Sequence, residues 1–300
     1  MSAGDTNIAV EAGPPGAPAK APAVTPPRDI RPWLILPAAA AVLIVSLLPI
    51  AATLFFSLQQ SPGGFEALMA DARLWGAARR TLLLTALALP AELLFGLALA
   101  GIFLGRMPGK AVFVSLLALP ALVAPVISGT TWRILFDNDY GPVNYILGWI
   151  AGGAVMALWT NDPDFAFSAI LIADVWQWTP FMFVLMLAAL SNVDRSQLEA
   201  AAIDDAGPWR TLYGVVLPAI WPAIAIAVLI RGLDLLRLFD VVWVLTRGGP
   251  EAQTETLSTV AYERLIDGSE TSATAAMAFA VLVVVSLAAT LALARLGRER

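Results

Sequence analysis

The chain of 300 residues contains no cysteine and no histidine. Their absence excludes disulfides, thiolate nucleophiles, imidazole acid–base catalysis and most transition-metal sites. A Ser-His-Asp triad cannot be built. Charge is also scarce, since Asp, Glu, Lys and Arg make up 14% of the residues, against about 25% in an ordinary globular protein. An enzyme is therefore not expected.

Lysine is nearly absent too, and neither Lys20 nor Lys110 lies in a phosphate-binding loop. The stretch from Gly105 to Ala111 is one spacer residue short of such a loop, and Ala111 stands where a magnesium-binding Ser or Thr is needed. Any ATP hydrolysis must come from another polypeptide, so no cofactor is expected in this chain. The net charge of −5 gives no sign of the basic patch that nucleic-acid binding requires.

Apolar residues are abundant, at 59% of the chain, with a mean hydropathy of +0.76. A helix of about 20 apolar residues crosses a bilayer with its backbone satisfied internally. The sequence therefore predicts an all-α integral membrane protein with membrane lipid around it. Residues 1–30, rich in proline and alanine, are predicted to be a disordered tail, and 31–300 the membrane domain. Six spans are predicted, at about Trp33–Phe56, Thr81–Leu104, Ala111–Trp132, Phe165–Leu190, Ile220–Leu245 and Thr271–Ala294.

The uncharged stretch Val143–Trp159 is predicted to be part of an outer-face loop, 136–164, with a short interfacial helix. A seventh span is the alternative, but four nearby glycines disfavour it. Lysine and arginine counting places both termini in the cytoplasm. That orientation puts ten of these residues inside (Lys20, Arg28, Arg31, Arg106, Lys110, Arg195, Arg210, Arg295, Arg298, Arg300) and five outside (Arg73, Arg79, Arg80, Arg247, Arg264).

A polar loop, 191–218, separates the fourth and fifth predicted spans. The stretch Ser191-Asn-Val-Asp194 offers N-cap oxygens for a helix from Gln197 to Ile203. Asp205-Ala-Gly207-Pro208 then breaks the chain, and a second short helix, Trp209–Gly214, follows until Pro218 ends or kinks it. The product is a helix–turn–helix elbow that presents Glu199, Asp204 and Arg210 to water. It is either a docking surface for a partner or a plain solvated loop.

Three motifs in this order resemble those of sugar-type (maltose-type) ATP-binding-cassette importer permeases, over about residues 30–296. The first is Trp176-Gln-Trp178-Thr-Pro180 on the fourth span. The second, similar to the EAA loop, comprises Glu199-Ala200-Ala201, Ile203-Asp204, Ala206, Trp209 and Leu217-Pro218. The third, similar to the Gly-Gly-Pro signature, comprises Thr246-Arg-Gly248-Gly249-Pro250, Thr254-Glu-Thr256-Leu257 and Tyr262.

The resemblance implies a type I ABC importer permease (MetI-like) architecture in the bacterial inner membrane, working by alternating access. It implies three kinds of partner: a cytoplasmic ABC ATPase dimer that binds ATP and Mg, a second homologous permease subunit, and an extracytoplasmic solute-binding protein. It also implies an ATPase-coupling role for Glu199, Ala200, Ala201, Asp204, Asp205, Ala206, Gly207, Leu217 and Pro218.

One residue departs from the family's pattern. The family usually has glycine at the position of Asp205, where the chain turns left-handed between the two short helices. Asp is among the few other residues tolerated in that conformation, and Gly207 is the alternative place for the bend.

The fifth span carries four charges, spaced so that Arg231 can pair with Asp234 and Arg237 with Asp240. They either line or gate the translocation pathway or form structural ion pairs with a partner subunit. Glu92 and Asp174 are expected to hydrogen-bond within the bundle or cap a kink. Trp176 and Trp178 either stack on a sugar ring or anchor the helix at the membrane interface.

The expected function is import of a carbohydrate or polyol. A phosphorylated polyol is one alternative, since Arg231 and Arg237 suit an anion. An ion-coupled secondary transporter is another, with Asp234 or Asp240 as the coupling carboxylate. Such transporters often contain internal repeats, and none is visible in this sequence.

Overall fold

The computed structural model describes residues 36–58, 64–105, 107–153, 156–267 and 271–298. The tail predicted to be disordered lies outside these ranges, as do the first residues of the predicted first span. By its contacts the chain divides into a unit of residues 1–49 and a unit of residues 50–300.

All regular structure in the described ranges is helical. In chain order the helices are α1 Leu36–Leu58, α2 Gly64–Ala70, α3 Ala72–Ile102, α4 Lys110–Leu122, α5 Pro125–Leu135, α6 Pro142–Ala151, α7 Pro163–Ser191, α8 Arg195–Ile203, α9 Pro208–Thr211, α10 Leu217–Leu235, α11 Asp240–Leu245, α12 Leu257–Asp267 and α13 Thr271–Arg298; a π-helical turn, Leu212–Val216, joins α9 to α10.

Five helices are long and apolar enough to cross a membrane, and counting the bent pair α4–α5 as one span gives six. The prediction of an all-helical membrane protein is confirmed, and its third predicted span corresponds to the bent pair α4–α5. The described part of the first unit is the beginning of α1, which is uncharged throughout and contains Pro49.

The core of the second unit forms where α3 packs along α7. Gly96 permits this contact, because a Cβ there would lie 2.6 Å from the Cβ of Met182. Small residues at such crossings let helix backbones approach closely in membranes. Met182, Phe183 and Met186 then fill the interior with Ile224 of α10.

The second span begins at Ala72, nine residues before its predicted start at Thr81. Asp71 caps the helix by accepting from the backbone N–H groups of Arg73 and Leu74. The prediction stopped at the arginines of this segment, but the side chains of Arg73 and Arg80 pair with Glu255.

Two predicted spans are broken. The third, predicted as a single helix Ala111–Trp132, bends by 94° between α4 and α5. Pro125 lies at the first turn of α5, where proline lacks the N–H that would continue the ladder and its ring clashes with the carbonyl four residues before. The fifth, predicted to run to Leu245, ends at Leu235, and the separate short helix α11 begins at Asp240.

The uncharged stretch after the third span forms α6, a helix of ten residues. At a rise of about 1.5 Å per residue it is too short to cross a bilayer. Buried Asn144 holds it in place by donating to the carbonyl of Ala157 at 3.0 Å and accepting from the indole of Trp159 at 2.8 Å. The short helix predicted within the loop is therefore present.

Candidate functional site

The elbow between α7 and α10 starts with a capped helix. The Asp194 carboxylate accepts from the backbone N–H of Ser196 at 2.9 Å, which holds the pKa of that exposed carboxyl below its usual value. Capping satisfies a backbone donor that has no partner within the helix. Helix α8 therefore begins at Arg195, and its alanines continue it as predicted.

The turn after α8 is made by Asp205, whose φ is +54°. The N–H of Ala206 bonds to the carbonyl of Ala201 at 3.0 Å, and the N–H of Asp205 to that of Ala202 at 3.2 Å. This is the Schellman pattern, which needs a left-handed residue directly after the helix cap. The alternative placement of the bend at Gly207 is wrong, since its φ is −62°.

The second helix of the elbow does not end at Pro218. Helix α9 continues through the π-helical turn directly into α10, with the N–H of Leu217 bonded to the carbonyl of Leu212, five residues back. Pro218 has no N–H to donate, and in a plain α-helix its ring would meet the carbonyl of Gly214. The wider turn accommodates the proline, so the elbow and the fifth span form one continuous segment.

The two short helices enclose a groove with a small-residue floor. Exposed Glu199, Asp204 and Arg210 lie on the elbow as predicted, and Ala201 is buried. Alanines allow close approach of a partner, and charges at an edge fix its orientation. The groove, about 590 Å³ in volume, is lined by Gln197, Ala200, Ala201, Asp204, Ala206, Arg210, Thr211, Gly214, Val215, Pro218 and Ala219.

Large apolar side chains project from the same elbow. Ile203 is 85% exposed and Trp209 70% exposed, and the ring of Trp209 stacks on that of Tyr213 at 6.2 Å. The sequence prediction did not assign a role to Ile203 or Tyr213. The sequence contained a signal for both residues, because a group of large apolar residues within a polar loop indicates a contact surface.

A second site lies inside the bundle, around Arg231 of α10, which is 1% exposed. Its Nε and Nη2 donate to the two Glu92 oxygens of α3 at 2.9 and 3.0 Å. Nη2 also donates to Asp174 of α7 at 2.6 Å, and Nη1 to Asp234 at 2.7 Å. The guanidinium carbon lies 4.6 Å from the ring centre of Trp178. One arginine thus joins three spans.

This cluster confirms one predicted ion pair and corrects the other. Arg231 pairs with Asp234, as their spacing predicted. Arg237 pairs with Asp234 at 3.6 Å, and its predicted pairing with Asp240 is wrong. The chain leaves its helix after Leu235, so Asp240 starts a new helix instead of lying one turn beyond Arg237.

The cluster also settles where Glu92 and Asp174 point. Both carboxylates bond to Arg231 within the bundle, which agrees with the expectation of in-bundle hydrogen bonds. The sequence could not pair them, because Glu92 lies 139 residues from Arg231. Trp176 lies edge-on to Trp132 of α5 at 5.7 Å.

A third polar cluster surrounds Glu255, in the loop that carries the Gly-Gly-Pro motif. Nε of Arg73 donates to its carboxylate at 3.1 Å, and Nε of Arg80 donates to its carbonyl at 3.1 Å. Nearby, Arg264 pairs with Asp71 at 2.6 Å. Burial alone would raise the pKa of Asp71, but the Arg264 contact and the N–H of Leu74 outweigh it and hold the pKa below the usual value.

The chain resembles proteins of known family along most of its length. Residues 121–298 match the family described as binding-protein-dependent transport system inner membrane component. The chain is 31% identical over 280 residues to the trehalose/maltose transport system permease protein MalF of Thermococcus litoralis, covering 89% of this chain and 93% of the relative. It is 31% identical over 253 residues to the trehalose transport system permease protein SugA of Mycobacterium tuberculosis, covering 80% of each.

A solved structure shares the fold. It is a bacterial alginate ABC transporter in complex with an alginate pentasaccharide-bound periplasmic protein, and one of its chains superposes with a TM-score of 0.75 at 23% identity, covering 87% of this chain and 91% of that one. The helical architecture, the motifs and the relatives agree. This chain belongs to the inner membrane components of binding-protein-dependent transport systems, as a sugar-type ABC importer permease.

Proposed function

We propose that this chain forms one half of a transmembrane pathway that imports a carbohydrate or polyol, driven by ATP through alternating access. The observation that carries the proposal is the exposed elbow, α8 to the π-helical turn, which continues without interruption into a span. Force applied to the elbow is transmitted directly to α10. The names of the trehalose and trehalose/maltose relatives support a sugar as the class of solute.

The elbow is suited to docking a cytoplasmic ATPase dimer, which would bind the ATP and Mg that this chain has no loop to hold. The groove between α8 and the π-helical turn accepts a protruding side chain or helix of the partner. Exposed Ile203 and Trp209 supply apolar contact area, and Glu199 and Asp204 fix the register. In this account Ala200, Ala201, Ala206 and Gly207 permit close approach, Asp205 shapes the turn, and Leu217 and Pro218 join the elbow to the span.

The orientation follows from this docking. With the elbow in the cytoplasm and six spans, both termini are cytoplasmic, and α6, α12 and the Glu255 cluster lie on the outer face. The lysine and arginine count supports the same orientation. The outer face is where an extracytoplasmic solute-binding protein would deliver its ligand, as the periplasmic protein of the alginate transporter is bound to a pentasaccharide.

The pathway is proposed to pass the charged end of α10. Asp234 is 37% exposed and Arg237 77% exposed in their side chains, so both can reach a polar solute, with Asp240 following them. Arg231 stands behind Asp234 and holds it in position. Trp176, which is 41% exposed, offers an aromatic face, whereas Trp178 already faces Arg231. A second homologous permease subunit would complete the pathway.

The two alternatives depend on the same charges. The phosphorylated-polyol alternative invoked Arg231 and Arg237 as anion contacts. Because Arg231 is buried and bonded to three carboxylates, that alternative now rests on Arg237. The ion-coupled alternative requires uptake that collapses with uncouplers and needs no ATPase, which distinguishes it from ATP-driven import.

The docking proposal is tested by purification from the native membrane in mild detergent through a tag on this chain. A P-loop ATPase is expected to co-purify with the wild type and to be lost when Glu199→Ala and Asp204→Ala are combined. The matched control combines Glu66→Ala and Asp267→Ala, one exposed Glu and one exposed Asp from the proposed outer face, and should retain the ATPase. Equal recovery of the ATPase with both double variants would refute docking at the elbow.

A further inference from the structure

The side chain of Gln177, on α7, bonds to the main chain at the break in the third span. Its Nε2 donates to the carbonyl oxygen of Val123 at 2.9 Å, and the residue is completely buried. Val123 directly follows α4 with an extended backbone, and α5 begins two residues later at Pro125. The donor comes from 54 residues away, so the bond is a tertiary contact and not a local cap.

In an uninterrupted α-helix, the carbonyl of Val123 would accept the N–H of Ile127, four residues further on. In the broken span, the ladder of α5 begins instead with the N–H of Ser128 bonded to the carbonyl of Ala124 at 3.0 Å. The amide of Gln177 therefore occupies the acceptor that a continuous helix would use. An unpaired carbonyl at membrane depth is costly, and this cost favours an unbroken helix. The hydrogen bond from Gln177 removes this cost from the broken form.

Pro125 alone does not account for this arrangement. In a continuous helix it would withhold one N–H and press its ring on the carbonyl of Ala121, which kinks a helix. The Val123 carbonyl could still accept from Ile127 across such a kink. The bend of 94° therefore depends on two features. Pro125 disturbs the helix, and Gln177 bonds to the Val123 carbonyl in place of the N–H of Ile127.

The neighbours of Gln177 fix its position. Trp176 contacts Trp132 of α5, and Trp178 covers the guanidinium of Arg231 on α10. Trp176, Gln177 and Trp178 of α7 thus contact α5, the break at Val123 and α10, respectively. These contacts give each residue of the Trp176-Gln177-Trp178 motif a structural role.

We propose that Gln177 is a positioning residue that holds the third span broken by replacing the Ile127 N–H on the Val123 carbonyl. When Gln177 is disengaged, the span gains the option of a continuous helix, and α5 changes direction relative to α7. The break is then a two-state element bonded to α7, whose Trp178 contacts α10. Its use during transport rests on the proposed function, but the existence of the two states does not.

The absence of cysteine allows a direct distance measurement. Val112→Cys on α4 and Ile134→Cys on α5, both at exposed positions, carry spin labels on the full chain in lipid nanodiscs. Their 22-residue separation spans about 33 Å in a straight helix and about 23 Å across a right-angle break at 1.5 Å per residue. Pulsed electron paramagnetic resonance resolves a difference of about 10 Å between the two forms.

The wild type is expected to give the shorter distance. Gln177→Met, which keeps the size of the side chain and removes the donor, should add a population about 10 Å longer. The change should be partial, because α5 also packs closely on α11, where a Cβ on Gly129 would lie 3.0 Å from Val244. Gln177→Leu, which also lacks a donor, should act in the same direction, and exposed Gln253→Met should leave the distance unchanged.

Distance distributions of Gln177→Met and Gln177→Leu that both match the wild type would overturn the inference. A longer population in Gln253→Met as well would also overturn it, since the effect would not be specific to the break. This measurement needs no ATPase and no solute. Its failure is therefore distinct from failure of the docking experiment, which would contradict the proposed function and leave the role of Gln177 intact.

Discussion

At the scale of single residues, the buried carboxylates Glu92 and Asp174 are arranged around one guanidinium, that of Arg231. Charges at membrane depth are costly and are usually paired inside the bundle. Arginine suits this position because its planar fork can bond two carboxylates while its face packs on an aromatic ring. Arg231 does both, with Glu92 and Asp174 on its edges and Trp178 over its face. The sequence predicted the local partner Asp234, but the distant partners depend on how three spans pack.

Removing this arginine should destabilise the protein strongly. Arg231→Ala leaves two buried carboxylates without their cation, and breaking a buried pair in this way costs about 3–5 kcal/mol. Arg231→Lys keeps the charge but loses the two-pronged bond to Glu92, so its loss should be smaller. Thermal unfolding of the detergent-solubilised variants measures both. An Arg231→Ala variant that melts with the wild type would show that the cluster contributes little.

At the scale of elements, proline and tertiary contacts decide where predicted helices break. The six apolar spans, the capped start of α8 and the short helix α6 could be predicted from local pattern. The size of the bend at Pro125 could not, because hydropathy is continuous from α4 into α5 and a proline does not fix the angle of a kink. The end of the fifth span at Leu235 was missed although the charged residues Arg237 and Asp240 follow it. The π-helical turn before Pro218 was missed for a related reason, since a proline signals a disturbance without showing how the chain absorbs it.

The turn of the elbow gives a prediction at this scale. Asp205 has a left-handed backbone, which costs an ordinary L-residue about 1–2 kcal/mol and glycine almost nothing. Asp205→Gly should therefore keep the elbow intact and co-purify the ATPase at wild-type levels. Asp205→Val, with a β-branched side chain in the same conformation, should destabilise the turn and lower recovery several-fold. Equal recovery for the two variants would mean that the turn geometry does not control docking.

At the scale of the whole molecule, the proposed docking of the ATPase and of the solute-binding protein takes place on opposite sides of the membrane. In the proposed orientation the elbow is cytoplasmic and the Glu255 cluster, α6 and α12 are on the outer face, with the spans joined by the Arg231 cluster between them. The family and the fold could be predicted from three motifs and six apolar runs. The count of lysine and arginine residues supplies the proposed orientation.

Single cysteines test the orientation in intact cells. Glu251→Cys is predicted to react with a membrane-impermeant maleimide from outside, because its loop follows the fifth span. Glu199→Cys should react only after the membrane is permeabilised. Both positions are exposed, and the chain has no native cysteine to react in the background. The reverse pattern of labelling would invert the topology and remove the elbow from the cytoplasm.

The most direct test of the central claim is cross-linking from the elbow to its partner in the native membrane. A photoreactive cross-linker on Ala200→Cys is predicted to capture a P-loop ATPase, identified by mass spectrometry of the product. The same reagent on Tyr140→Cys, an exposed position on the proposed outer face, should not capture it. Capture of the ATPase from Ala200 alone would establish the elbow as its docking site. If Ala200→Cys captures no ATPase, or both positions capture it equally, the account of ATP-driven import through this elbow is contradicted.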